Sequence, residues 1–238
     1  MRVLHDALRP PDGYELDCAV GTTFTLDLTS LLSIPLAVGR FANGDGGPIE
    51  TDPLELLASL ERSADKVTVF HQAGLVRVPE RHRELLALVQ GCLASVALSH
   101  GALFHPKVWV ARYARDRSAR HHRVIVLSRN LTPDRCWDTL VVLEGNGTRS
   151  KVADSEPLGD FLRWLARQPG LHSDRRAVVD DLARSVARDR FRPPAPFDSV
   201  RFRPLGISRH RSDPIASARR DRVLVVSPYI GEDELRRL

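Results

Sequence analysis

Leu103-Phe-His-Pro-Lys-Val-Trp-Val-Ala-Arg-Tyr113 and Val124-Ile-Val-Leu-Ser-Arg-Asn-Leu-Thr132 decide how this chain of 238 residues reads. Each is a short apolar run with polar residues at fixed places. His105 and Lys107 stand two apart where the first run begins, and Ser128 and Asn130 stand two apart where the second ends. Residues two apart in a strand point to the same face, so each pair shares a face. The runs predict strands over about 106–113 and 123–128. If these pair, one patch holds an imidazole, an ammonium, a hydroxyl and an amide. Such a set suits the binding of a phosphate, with the imidazole as nucleophile.

Outward from this pair, Asp17–Phe24, Lys66–Phe70, Leu93–Leu98 and Thr139–Leu143 read as further strands. Helices are predicted over residues 1–11, stopped by Pro10-Pro11, and over Leu26–Leu36, interrupted at Pro35. Others cover Pro53–Ser63 with Asp52 as cap, Val78–Gln90, Leu158–Gln168 and Asp174–Phe191. Phe41–Thr51 and 144–157 read as loops. Strands alternating with helices predict an α/β lobe, a mixed β-sheet flanked by helices on both faces. Such sheets place their sites at strand ends, where the motif residues fall. Arg192-Pro-Pro-Ala-Pro196 marks a boundary. It divides a catalytic lobe, 1–192, from 193–238. There, strands at Ser199–Ile207 and Arg222–Ile230 and a helix from Gly231 read as the start of a second lobe or a dimerisation segment.

The net charge of +5 is unevenly spread. Residues 1–104 carry −5, whereas 105–135 and 160–238 carry +6 each. Nearly all the basic residues are arginines, which bind phosphate bidentately. The basic segment 114–123 offers Arg115, Arg117, Arg120 and Arg123 as nucleic-acid backbone contacts, against the plainer reading of a solvated hairpin loop. His121-His122 lacks a third ligand at metal spacing, so no metal is expected. Cys18, Cys92 and Cys136 are odd in number and widely spaced, which fits a reducing cytoplasm. The N-terminus has no apolar signal core. The most apolar window, Leu85–Phe104, contains Gln90, Ser95, Ser99 and His100 and reads as buried helix and strand, with no membrane partner.

His105-Pro-Lys107 followed by Ser128-Arg-Asn130 resembles the phospholipase D superfamily, on its nuclease and tyrosyl-DNA phosphodiesterase side. Arg112 stands where the family's usual Asp would fall, and Leu127 where its usual Gly would. The resemblance implies a phosphodiesterase working through a covalent phosphohistidine on His105, with no cofactor. Lys107 and Asn130 would neutralise phosphate oxygens, Ser128 and Arg129 would contact the substrate phosphate, and Asp138 would support the catalytic histidine. It implies nucleic acid as substrate, DNA before RNA, in a host-defence or restriction setting. The other readings are a phospholipid hydrolase or transferase, and a non-catalytic nucleic-acid-binding subunit with half a site. The mechanism needs a second histidine, and no other His is followed two residues later by Lys. The second half of the site is therefore expected from a homodimer partner or from a missing C-terminal half.

Overall fold

The computed structural model describes residues 2–42, 53–81, 83–115, 119–134 and 136–207, together with 210, 222, 231, 232 and 236. Its centre is a seven-stranded mixed sheet. Three strands run parallel: β1 (Glu15–Thr23), β3 (Val67–Gln72) and β5 (Leu93–Val96). Four more follow antiparallel: β6 (Val108–Arg115), β7 (Ala119–Leu127), β8 (Leu140–Gly147) and β9 (Asp189–Phe191). The order across the sheet is β5-β3-β1-β6-β7-β8-β9. A short pair, β2 (Leu26–Asp27) and β4 (Val76–Arg77), lies beside it.

Each face of the sheet has its own apolar core, as alternation along the strands requires. On one face Cys18, Val20, Phe70, Val110, Val124 and Leu143 meet α5 (Glu156–Ala166) and α6 (Ser173–Val186) through Phe161, Leu162, Leu165, Val179 and Leu182. On the other, Ala19, Val69, Trp109, Tyr113 and Ile125 lie under α1 (Arg2–Ala7), α2 (Leu28–Ala42) and α3 (Pro53–Ala64) through Leu4, Leu31, Ile34, Val38 and Ala64. A Cβ on Gly21 would fall 2.6 Å from the Trp109 ring, so only glycine lets the indole lie flat on β1. The expected architecture, a mixed sheet with helices on both faces, is the one observed.

Several elements differ from expectation. Helix α2 continues through Pro35, although an interior proline costs about 3 kcal/mol; Leu31, Ile34 and Val38 on its buried stripe outweigh that loss. The helix expected over Val78–Gln90 shrinks to α4 (Arg83–Leu86) and a 3-10 turn, Ala87–Cys92. Extended β4 and Pro79 delay its start, and only Val89 and Cys92 in the 3-10 turn are buried. Helix α6 stops at Val186 because Asp189 and Phe191 turn inward and pair with β8 as an edge strand. Strand β8 itself runs on through Gly147. No strand forms over Ser199–Ile207; Val200, Phe202 and Ile207 pack against the α5–α6 core, with Phe202 edge-on to Phe191 at 5.3 Å. The expected cap Asp52, most of the Phe41–Thr51 loop, all of the expected strand Arg222–Ile230 beyond its first residue and most of the following helix lie outside the described residues.

Candidate active site

The C-terminal ends of β1, β3 and β7 and the N-terminal ends of β6 and β8 lie at one end of the sheet. His105-Pro106-Lys107 leads into β6 there, and Ser128–Asn130 leaves β7. The two segments adjoin, with Leu127 N donating to Lys107 O at 2.9 Å. His105 and Lys107 come together just before the strand begins. Lys107 Nζ lies 3.0 Å from His105 Nδ1, 3.3 Å from Nε2 and 3.3 Å from the His105 carbonyl oxygen. Among the described residues, no carboxylate pairs with this ammonium. The His105 ring also rests on Phe24, with ring centroids 4.6 Å apart.

Asn130 is held by the same residue. Phe24 N donates to Asn130 Oδ1 at 3.2 Å. A backbone N–H needs an acceptor, so this bond fixes the amide orientation and leaves Nδ2 as a donor. Residue 24 is thus the hinge pin between imidazole and amide. Its neighbours secure it: Thr23 Oγ1 accepts from Leu131 N at 2.9 Å, and Thr22 Oγ1 both accepts from Val108 N at 2.9 Å and donates to Val108 O at 3.1 Å. Gln72, at the end of β3, donates through its backbone N to Phe24 O at 3.3 Å and accepts from Phe104 N at 2.7 Å through Oε1.

Electrostatics suit a nucleophile. Partial burial, and then the Lys107 charge, pull the His105 ring below the ordinary histidine value, favouring neutral imidazole. Burial lowers the Lys107 ammonium as well. The sequence-predicted residues fall into two groups. His105, Lys107, Ser128, Asn130 and Asp138 share this end of the sheet. Asp138, however, does not bond His105 among the described residues. Its Oδ1 accepts from the Ser128 hydroxyl at 2.7 Å and from Ser128 N at 3.2 Å, so it braces the turn after β7. Thr139 N donates to the same hydroxyl at 2.9 Å. Arg129 is likewise committed: Nη2 donates to the carbonyls of Thr132 at 2.8 Å and Asp134 at 2.5 Å. Its Nε is buried beside a small cavity lined by Thr22, Trp109, Asn130 and Asp138.

The basic segment is elsewhere. Arg115 and Arg120 sit at the far ends of β6 and β7, roughly 25 Å from Lys107 at about 3.3 Å per strand residue. Arg117 lies outside the described residues. Arg123 is not a loop residue at all. It is inside β7, with Nε on Glu144 Oε1 at 2.7 Å and Nη1 on the carbonyls of Ala7 and Arg9, both at 2.7 Å. The expected loop is mostly strand because β6 and β7 pair out to Arg115 and Ala119. His121 bonds Glu144 and buried His122 bonds Asp189 at 2.8 Å and Ser185 at 3.0 Å, so the pair ties strands together. Among the described residues no group of three or more His, Cys, Asp or Glu is placed to hold a metal. No helix among them is long and apolar enough to cross a membrane. Arg112, at the position of the resembled family's Asp, is buried and bridges Asp17, in the β1 bulge, and Asp181 of α6.

Sequence reasoning missed Thr22, Thr23, Phe24 and Gln72. The one signal was the pair of hydroxyls, Thr22-Thr23, closing β1 after its apolar stretch Cys18–Gly21.

No family model matches the chain, and no curated protein sequence does. Among solved structures it is similar to a yeast tyrosyl-DNA phosphodiesterase, with TM-score 0.47 and 14% identity over 76% of this chain and 37% of that one. A mutant of the same yeast enzyme gives TM-score 0.44 and 14% identity over 74% and 36%. A polyphosphate kinase from Porphyromonas gingivalis gives TM-score 0.29 and 14% identity over 59% and 20%. The chain spans little more than a third of the yeast enzyme, 37% of its length.

Proposed function

We propose that this chain is a phospholipase D-like phosphodiesterase of nucleic acid, DNA before RNA, that works without metal through a phosphohistidine on His105. One observation carries the reading: an ammonium that no carboxylate among the described residues pairs with stands 3.0 Å from the His105 ring, beside an asparagine whose amide is pinned by Phe24. Neutral His105 attacks phosphorus, and the bond from phosphorus to the leaving oxygen breaks. Lys107 Nζ and Asn130 Nδ2 bind the non-bridging oxygens as their charge builds. An acid protonates the leaving oxygen. The same group then takes a proton from water, which attacks phosphorus, splits the P–N bond and frees His105. Asp138 acts through Ser128, holding the turn that carries Asn130. The test is turnover of a labelled single-stranded oligonucleotide in excess chelator. We expect it to persist; loss on chelation with recovery on adding magnesium or zinc contradicts the reading.

Two further expectations follow from the geometry. The first concerns pH. Only neutral imidazole attacks, and His105 is held below the ordinary value of about 6.5. The acidic limb of kcat/KM therefore falls below that value, with activity retained as pH drops until His105 protonates. An acidic limb above it is inconsistent with His105 as the base-form nucleophile. The second concerns the acid. In this reading the second histidine comes from a second lobe, while Val200, Phe202 and Ile207 pack back on the α5–α6 core of this one. A two-fold axis that brings a second His105 and Lys107 against the first completes the site. Specific activity then falls on dilution as the mass measured by sedimentation falls to that of one chain. Undiminished activity from a strict monomer places the acid within this chain instead. A cytoplasmic setting suits the three unpaired cysteines, of which Cys18 and Cys92 are buried and pushed up to about 12 and about 11 by that burial.

A further inference from the structure

We infer that Trp137 is a base-stacking platform at the rim of the site, gripping a nucleobase next to the scissile phosphate; this rests on the reading of the site as a nucleic-acid phosphodiesterase. The chain has three tryptophans. Trp109 is buried against β1, and Trp164 stacks near Phe104 and Phe161 at 6.1 and 6.4 Å. Trp137 alone is fully exposed, at 101% of its reference area. It directly precedes Asp138, so its Cα lies about 3.8 Å from that of a residue bonded to Ser128.

A lone exposed apolar side chain is ordinary, but this one is held out by its loop. On one side Arg129 Nη2 fastens the carbonyls of Thr132 and Asp134, and the Thr132 hydroxyl donates to Asp134 Oδ2 at 2.5 Å. On the other, Asp138 and Thr139 are fastened to Ser128. Both ties run to the turn between β7 and Asn130. The segment that presents the indole and the segment that presents the phosphate-binding amide are therefore one unit. An aromatic face beside a cationic phosphate site is the combination that binds single-stranded nucleic acid, since every base offers a π-face to stack. Arg129 and Asp138 thus act as positioning residues for the indole as well as for Asn130.

The test compares wild type with Trp137→Ala and Trp137→Phe on two single-stranded oligonucleotides of equal length, one intact and one abasic on both sides of the scissile phosphate. Trp137→Ala is expected to lower kcat/KM on the intact strand by about 5- to 150-fold, the range for loss of one stacked base, through KM. It leaves the abasic strand unaffected, and Trp137→Phe restores most of the loss. Equal rates for wild type and Trp137→Ala on the intact strand overturn stacking while the phosphodiesterase reading stands. Equal losses on both strands, with a changed sedimentation mass, make Trp137 a contact between copies and overturn it too. A wild-type protein that neither binds nor cleaves either strand overturns both this inference and the function on which it rests.

Discussion

His105→Ala removes turnover of phosphodiester, by on the order of 10⁴-fold or more in kcat, the scale seen when a covalent nucleophile is deleted. The size follows from the chemistry. Without the imidazole no covalent intermediate forms, and what remains is the electrostatic pull of Lys107 and Asn130 on a phosphate that water must attack unaided. Folding is spared. His105 is exposed, and among the described residues its side chain meets Lys107 and the Phe24 ring, so its loss opens no core cavity. The measurement is kcat on an oligonucleotide together with the thermal midpoint. A variant with an unchanged midpoint and undiminished kcat excludes His105 from the chemistry.

Lys107→Ala is the second large effect. Removing one preorganised donor for the transition-state oxygens lowers kcat by about 10²–10³-fold. The substitution has a signature that a merely structural role lacks. The Lys107 charge is part of what holds His105 below the ordinary histidine value, the larger part being burial. With the ammonium gone, the His105 value rises, so the acidic limb of the pH profile moves to higher pH. Lys107→Arg keeps the charge and is expected to keep the limb nearer its original place, while recovering the rate only in part because a planar fork replaces a point charge. A Lys107→Ala enzyme with unaltered kcat and an unmoved acidic limb contradicts the assignment.

The parts of the fold visible in the sequence are those written in local pattern. The apolar runs of β1, β3, β6 and β7 are strands close to where the periodicity puts them, and the α5 stripe of Phe161, Leu162 and Leu165 faces the sheet as its spacing requires. The failures are places where a distant partner decides. Arg188-Asp-Arg-Phe191 continues a helical pattern, yet Asp189 turns in to meet His122 and Phe191 joins the β8 edge. Residues 114–123 read as a loop because they are polar. In the structure several of them bond other elements: Arg123 reaches Glu144 and the carbonyls of Ala7 and Arg9, and His122 reaches Asp189 and Ser185.

The site divides in the same way. The four polar residues of the motif were legible because each pair stands at a fixed distance from an apolar run. Their supports were not. Thr22, Thr23, Phe24 and Gln72 reach the motif through bonds that close between strands far apart in sequence, and nothing local marks a phenylalanine as the anchor of both an imidazole and an amide. The partners of Asp138 and Arg129 were not legible either. Each has a nearer partner, Ser128 for the carboxylate and the Thr132 and Asp134 carbonyls for the guanidinium, and short loops satisfy near partners first.

The covalent bond to His105 can be trapped directly. The protein is mixed with an excess of a labelled oligonucleotide in chelator and quenched within the first turnover in alkaline detergent, which preserves a phosphorus–nitrogen bond. Proteolysis and mass spectrometry then locate the adduct. A nucleotide or phosphate mass is expected on the peptide containing His105, absent from His105→Ala. Turnover with the adduct on Ser128 or another residue, or turnover with no covalent species at any time point, contradicts it.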